Sequence, residues 1–105
     1  GLYDLRPNSP TRGNARIVEL RALPREVLII PPGVIHGMYF PEATTYVQGM
    51  TTLWTGKDDY RCIWNDPALK LDWHVTNPII SELDQNAASL AALKESYLPL
   101  WAEKS

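Results

Sequence analysis

The chain has 105 residues, enough for a single domain with one modest hydrophobic core. Its 10 basic and 12 acidic residues give a net charge of −2 without a Lys/Arg cluster, which argues against nucleic acid and against membrane surfaces as partners. The single cysteine, Cys62, excludes an internal disulfide and predicts a cytoplasmic location. No apolar run approaches the roughly 20 residues of a membrane span, and no signal peptide is visible.

Short strands and turns are predicted over residues 1–78. Residues 2–5 form the first predicted strand, which a run rich in proline, asparagine and glycine closes. Residues 15–21 predict a second strand, in which each face mixes apolar and polar residues. Residues 26–30 are apolar and mostly branched, which predicts a strand buried on both faces.

Two prolines and a glycine mark a corner in the middle of the chain. Pro31 and Pro32 lack backbone donors and end the preceding apolar run, and Gly33 can adopt a positive φ that turns the chain back. His36 is expected to begin the next strand, residues 36–40, which pairs antiparallel with residues 45–54. Two further polar turns are predicted, at residues 56–59 and 64–67.

The last quarter of the chain, residues 79–101, is predicted to be helical. Ser81 is a suitable N-cap, and Asp84 three residues later makes a capping-box-like pair with it. Leucine and alanine then recur near helical spacing, and Pro99 is expected to end the helix. Many short strands followed by one helix predict a β-sandwich or barrel with a C-terminal α-helix.

His36 is the first candidate for chemistry. It is either a structural histidine that binds a backbone carbonyl, or a pocket residue acting as an acid, a base or a hydrogen-bond donor. The spacing from Pro31 through Gly33 to His36 resembles the second short motif of the cupin superfamily of β-barrels.

A bound metal is not expected. Metal centres in such barrels need three or four converging ligands, whereas this chain has 2 histidines and no His-x-His pair. His74 is expected to be an ordinary exposed residue. Cys62 and the serines lack a nucleophile signature, so covalent catalysis has no support.

Asp84 and the aromatic residues each have two interpretations. Asp84 is either a carboxylate near a helix N-terminus or one that orients an imidazole, and both can hold together. Most of the aromatic residues are expected to pack in the core or at corners, and one or two could stack on a base or sugar ring; they are Tyr39, Tyr46, Trp54, Trp64 and Trp73.

The order of these motifs resembles the dTDP-4-dehydrorhamnose 3,5-epimerase family along nearly the whole chain. The resemblance lies in Asp4-Leu5-Arg6 with Ser9-Pro10-Thr11, in Ile30-Pro31-Pro32-Gly33 with His36-Gly37, and in the closing segments Trp64-Asn65-Asp66-Pro67, Asp72-Trp73 and Pro78-Ile79-Ile80-Ser81-Glu82-Leu83-Asp84. It implies an all-β, jelly-roll, cupin-like fold, a homodimer that exchanges strands, and no metal or organic cofactor. The family's substrate is a dTDP-linked 4-keto-6-deoxy sugar, whose C3 and C5 are inverted by proton removal beside the ketone.

The resemblance assigns roles to four residues. Asp84 falls on the aspartate that pairs with the family's catalytic histidine, and His36 falls on a second, substrate-contacting histidine. Gln48 stands where the family has an acidic tyrosine, and Tyr46 points to the same face. Glutamine donates hydrogen bonds but cannot release a proton at useful pH.

No residue matches the family's catalytic base histidine or its lysine, which lie upstream of the position of Gly1. We therefore expect residues 1–105 to be one cupin-like domain that is incomplete at its N-terminus. Three explanations stay open: a longer native chain, a short relative that has lost catalysis, or a dimer partner that supplies strands. The sequence accordingly predicts a sugar-nucleotide epimerase or, alternatively, a nucleotide-sugar-binding domain without turnover; a metal-dependent cupin conflicts with the ligand count.

Overall fold

A computed structural model describes residues 1–56 and 60–104 as a small antiparallel sheet with helices near the C-terminus. The strands are β1 (Leu2–Asp4), β2 (Ala15–Arg16) and β3 (Val34–His36), in the order β2-β1-β3. A 3-10 helix covers Pro67–Leu69, and α1 (Glu82–Gln85) and α2 (Leu90–Lys104) follow it. None of the helices in the described ranges is long and apolar enough to cross a membrane.

The central strand β1 confirms the first predicted strand. Tyr3 pairs with Ala15 on one side and with Ile35 on the other, so β1 is hydrogen-bonded on both edges. Tyr3 and Leu5 point into the core, where they meet two buried leucines of the helices, Leu69 and Leu90. The sheet and the helical segment therefore share one core.

The predicted corner before β3 is also confirmed. The amide of Val34 donates to the carbonyl of Pro31, at 3.4 Å, which closes a four-residue turn. Gly33 has φ +88°, the conformation that a type II turn requires at its third position. A Cβ at this glycine would lie 2.6 Å from both Arg6 Cγ and Trp101 Cζ3, so the corner is packed tightly against α2.

The predicted helix is confirmed at its start, but it is interrupted between α1 and α2 and its predicted end is wrong. The Ser81 hydroxyl accepts the amide of Asp84, as an N-cap should. Pro99 was expected to end the helix, yet it lies inside α2. Proline removes one backbone donor, and the carbonyl four residues earlier belongs to Glu95, which is exposed and can bind water instead.

Several predicted strands are wrong within the described residues. Residues 17–21, 26–30, 37–40 and 45–54 are irregular, and His36 ends β3 rather than beginning a strand. Residues 26–30 are largely exposed instead of buried; the exposed fraction of Val27 is 87%. A strand needs a neighbour for its backbone groups, and none of the described residues supplies one here.

The small sheet and C-terminal helix are compatible with part of a cupin-like fold. The complete jelly roll and the division into one domain stay predictions. The turn predicted at residues 56–59 falls mostly outside the described residues.

Candidate functional site

His36 lies at the end of β3 with an exposed ring. Its Nδ1 atom lies 3.2 Å from the carbonyl oxygen of Val34, two residues earlier. If Nδ1 donates to this carbonyl, Nε2 carries the free lone pair and can act as an acceptor or base. The contact with Val34 agrees with the interpretation of His36 as a histidine that binds a backbone carbonyl. It also leaves the second ring nitrogen available for a ligand.

Asp84 lies in α1, where its backbone and its side chain are both held. Ser81 caps its amide, and Arg61 Nη1 lies 2.7 Å from its Oδ1. The two side chains are 34% and 48% exposed, so water screens this ion pair. Arg61 was not expected at the site, because it is separated from Asp84 by 23 residues and nothing in its local pattern signals the contact.

The other two predicted site residues lie in the irregular segment after β3. Tyr46 stacks on Phe40, with ring centroids 5.3 Å apart and an angle of 21° between the planes. Gln48 is exposed. Within the described residues there is no hydrogen bond or ion pair between His36 and Asp84. The grouping of these four side chains around one substrate therefore stays a prediction.

The aromatic residues divide between packing and exposure. Trp73 Nε1 donates to the carbonyl of Trp64 at 3.2 Å, and its ring packs against Gly1 at the start of β1. This confirms the expected packing role of Trp73. Trp54, in contrast, is largely exposed.

Metal-binding residues do not cluster in the described part of the chain. No three His, Cys, Asp or Glu side chains there converge on a site of metal size. His74 is exposed, as expected, and its Nδ1 lies 3.3 Å from the carboxylate of Asp72.

A buried polar network at the end of β1 was not identified as a site from sequence. Asp4 accepts two hydrogen bonds from the side chain of Arg6, both at 2.9 Å, and is only 6% exposed. The hydroxyls of Ser9 and Thr11 donate to its Oδ2 at 2.6 Å and 2.5 Å. These bonds, first those from Arg6, hold the pKa of Asp4 well below its ordinary value. The sequence signal for this network was Asp4 and Arg6 two residues apart, followed by the hydroxyl residues Ser9 and Thr11.

Two clefts flank the turn between β1 and β2, and α2 contributes to both. The first has a volume of about 250 Å³ and is lined by Tyr3, Asp4, Leu5, Arg12, Gly13, Lys94 and Leu98. The second, of about 460 Å³, is lined by Arg6, Asn8, Ser9, Pro10, Thr11 and Trp101. Neither cleft is lined by any of the four predicted site residues, His36, Tyr46, Gln48 and Asp84.

Comparison with known families identifies a match. The model of the family described as dTDP-4-dehydrorhamnose 3,5-epimerase matches residues 2–92. That range contains β1 to β3, the 3-10 helix, α1 and the first residues of α2. No solved structure matches the chain significantly.

Curated proteins with the same description are similar over most of the chain. The protein from Pseudomonas aeruginosa is 33% identical over 90 residues, which are 84% of this chain and 50% of that protein. The protein from Shigella flexneri is 30% identical over 84 residues, 79% of this chain and 46% of its own length. The protein from Neisseria gonorrhoeae is 33% identical over 97 residues, 90% of this chain and 30% of its own. The chain thus spans about half, or less, of the length of these relatives.

Proposed function

Because the chain belongs to the dTDP-4-dehydrorhamnose 3,5-epimerase family, we propose that it acts in the epimerisation of a dTDP-linked 4-keto-6-deoxy sugar. The observation that carries this proposal is the family match over residues 2–92, which includes His36, Gln48 and Asp84. The relatives are about twice as long, so the activity is proposed for a completed site to which this chain contributes.

The chemistry begins with a ketone that acidifies the C–H bonds beside it. A base removes one of these protons while hydrogen-bond donors stabilise the enolate oxygen, and a proton then returns on the opposite face of the ring. In this proposal, His36 contacts the sugar through its free Nε2. Gln48 and Tyr46 contact the same substrate through an amide and a hydroxyl.

Asp84 is proposed to orient the imidazole of the catalytic base. Arg61 binds its Oδ1, and none of the described residues donates to its Oδ2. Oδ2 is therefore free to accept the Nδ1 proton of a histidine, while Arg61 keeps the carboxylate in place. The base itself has no matching residue in this chain, so the dyad requires a histidine from outside it.

A specific observation favours the alternative, a nucleotide-sugar-binding cupin domain without turnover. Gln48 stands where the resemblance places the acidic tyrosine. Glutamine can hold a sugar hydroxyl or carbonyl but cannot supply a proton. A domain with these residues would retain binding and lose the reaction.

Proton exchange in deuterated water distinguishes the two functions. The chain, joined to or mixed with the segment that supplies the base histidine, is incubated with dTDP-4-keto-6-deoxyglucose in D₂O, and deuterium at C3 and C5 is followed by NMR. The epimerase proposal expects incorporation, a strong loss in Asp84→Asn, and no loss in the control Asp72→Asn, an exposed carboxylate in a loop. Absence of exchange above background, with the nucleotide sugar still bound, favours the binding domain.

We further propose that the chain assembles as a homodimer, with strands from another chain completing the jelly roll. The support is the exposure of apolar residues in the irregular segment after β3, including Val47 at 97% and Leu53 at 93%. Exposed apolar residues that form a patch usually mark an interface. Light scattering on the purified protein should give twice the monomer mass, and a stable monomer would contradict the proposal.

The single cysteine also supports the proposed location in the reducing cytoplasm.

A further inference from the structure

The first cleft, between the β1–β2 turn and α2, combines positive charge with a small volume. Arg12 lies on the turn, and Lys94 lies on the first turns of α2. Within the described residues, neither side chain forms an ion pair. Two cations thus line one concave surface without a protein counter-charge.

The nearest carboxylate does not neutralise these cations. Asp4 also lines the cleft, but both of its oxygens are occupied by Arg6 and by the hydroxyls of the following turn. The Asp4–Arg6 pair is close to neutral as a unit. The positive charge of Arg12 and Lys94 is therefore available to a ligand.

Tyr3 adds a directional donor to the same wall. Lys94 Nζ lies 3.4 Å from the Tyr3 hydroxyl and 5.6 Å from the centre of its ring. Because the hydroxyl oxygen accepts from the ammonium group, its own proton is free to point outward. Gly13 faces this hydroxyl across the cleft, since a Cβ at Gly13 would lie 3.9 Å from it.

From this arrangement we infer that the cleft is a phosphate-binding site. An arginine, a lysine and a hydroxyl donor suit the oxygens of a phosphate group. The volume of about 250 Å³ is below the roughly 300–1,000 Å³ of clefts that hold drug-sized ligands. The cleft therefore accepts a phosphate group, either free or at the end of a larger molecule that extends into solvent.

This site goes beyond the proposed function. It contains neither His36 nor Asp84, and Lys94 lies outside the residues that the family model matches. Failure of the deuterium exchange experiment would leave it untouched, and its own failure would leave the epimerase proposal untouched.

The test is a titration with inorganic phosphate at constant ionic strength, followed through the amide NMR signals of Gly13 and Tyr3. Arg12→Gln and Lys94→Gln should each weaken binding about tenfold, because each removes one charge-assisted contact. Lys94→Arg, which keeps the charge, should retain most of the binding. Arg25→Gln is the matched control: it removes one exposed positive charge outside the cleft and should change nothing.

A second titration with dTDP identifies the source of the phosphate group. Equal losses for phosphate and dTDP in Lys94→Gln assign the cleft to a nucleotide's phosphate, and a loss for inorganic phosphate alone assigns it to the free ion. The inference is overturned if the Gly13 and Tyr3 signals show no saturable shift with phosphate. It is equally overturned if Arg25→Gln weakens binding as much as Arg12→Gln, because binding would then follow surface charge in general.

Discussion

Replacing Gly33 by alanine tests how the sheet and α2 are joined. An L-residue at φ +88° costs about 1–2 kcal/mol for the left-handed backbone alone. The new Cβ would also lie 2.6 Å from Arg6 Cγ and from Trp101 Cζ3, and relieving such overpacking costs about 1–3 kcal/mol. We expect Gly33→Ala to lower the free energy of unfolding by about 2–5 kcal/mol, a large share of the ~5–15 kcal/mol available to a typical domain.

Two other glycines separate the backbone cost from the packing cost. Gly56 has φ +73°, but its Cβ would meet nothing closer than 3.6 Å, so Gly56→Ala should cost only about 1–2 kcal/mol. Gly49 has no left-handed φ and no heavy atom within 4 Å of the Cβ position. Gly49→Ala should therefore be neutral, or stabilising by up to about 1 kcal/mol through the unfolded chain.

Urea unfolding followed by circular dichroism measures all three variants. Repeating Gly33→Ala in a Trp101→Ala background closes a double-mutant cycle, in which the clash with the ring is absent and the cost of the alanine should fall. Equal costs for Gly33→Ala and Gly56→Ala, or the same Gly33→Ala cost in both backgrounds, would refute the close packing of α2 on the corner.

Three other substitutions test charged groups elsewhere in the fold. Burial, and to a lesser extent the charge of Asp66, raise the pKa of Cys62 to about 11. Asp66→Asn should lower this pKa and speed the modification of Cys62 by iodoacetamide at alkaline pH. An unchanged rate would exclude a contribution of the Asp66 charge to this pKa. Arg6 holds the pKa of Asp4 below its ordinary 3.8, so the stability that this carboxylate contributes is complete above that pH and is lost as the pH falls further. Asp4→Asn should therefore flatten the acid limb of a plot of unfolding free energy against pH, and a limb of unchanged slope would contradict this. For the half-exposed pair of Arg61 and Asp84, a double-mutant cycle should give an unfolding coupling below about 1 kcal/mol; several kcal/mol would mean that assembly buries the pair.

The features that were predictable from sequence are local ones. Gly33 and Ser81 act within a few residues of themselves, as a turn glycine and as a helix cap, so residue type and spacing suffice to identify them. The first strand was predictable for the same reason, since a turn closes it immediately. The family resemblance was also readable, because it depends on the order of short motifs and not on tertiary contacts.

The features that were missed depend on distant partners. Arg61 meets Asp84 across 23 residues, and Asp66 meets Leu90 across 24. Nothing in the local pattern of either pair encodes the contact. β-Branched residues such as Val47 have strand propensity, but propensity forms a strand only where a neighbouring strand receives the backbone groups. Pro99 shows the same limit. It lies at an exposed position of α2, where water can bind the carbonyl that the missing backbone donor leaves unpaired, so the helix continues.

Asp66 links the part of the chain that the family matches to the cleft inferred here. Its carboxylate accepts the amide of Ala68 at 2.9 Å and the amide of Leu90, the first residue of α2, at 2.7 Å. Lys94 lies four residues after Leu90 and therefore on the same face of α2. Asp66, in the Trp-Asn-Asp-Pro motif, thus fixes the residue at which α2 starts. The start of α2 in turn sets the position at which Lys94 contacts Tyr3. A motif shared with the epimerase family consequently positions Lys94, which lies outside the family match. The inferred phosphate site therefore requires no change in the residues proposed to bind the sugar.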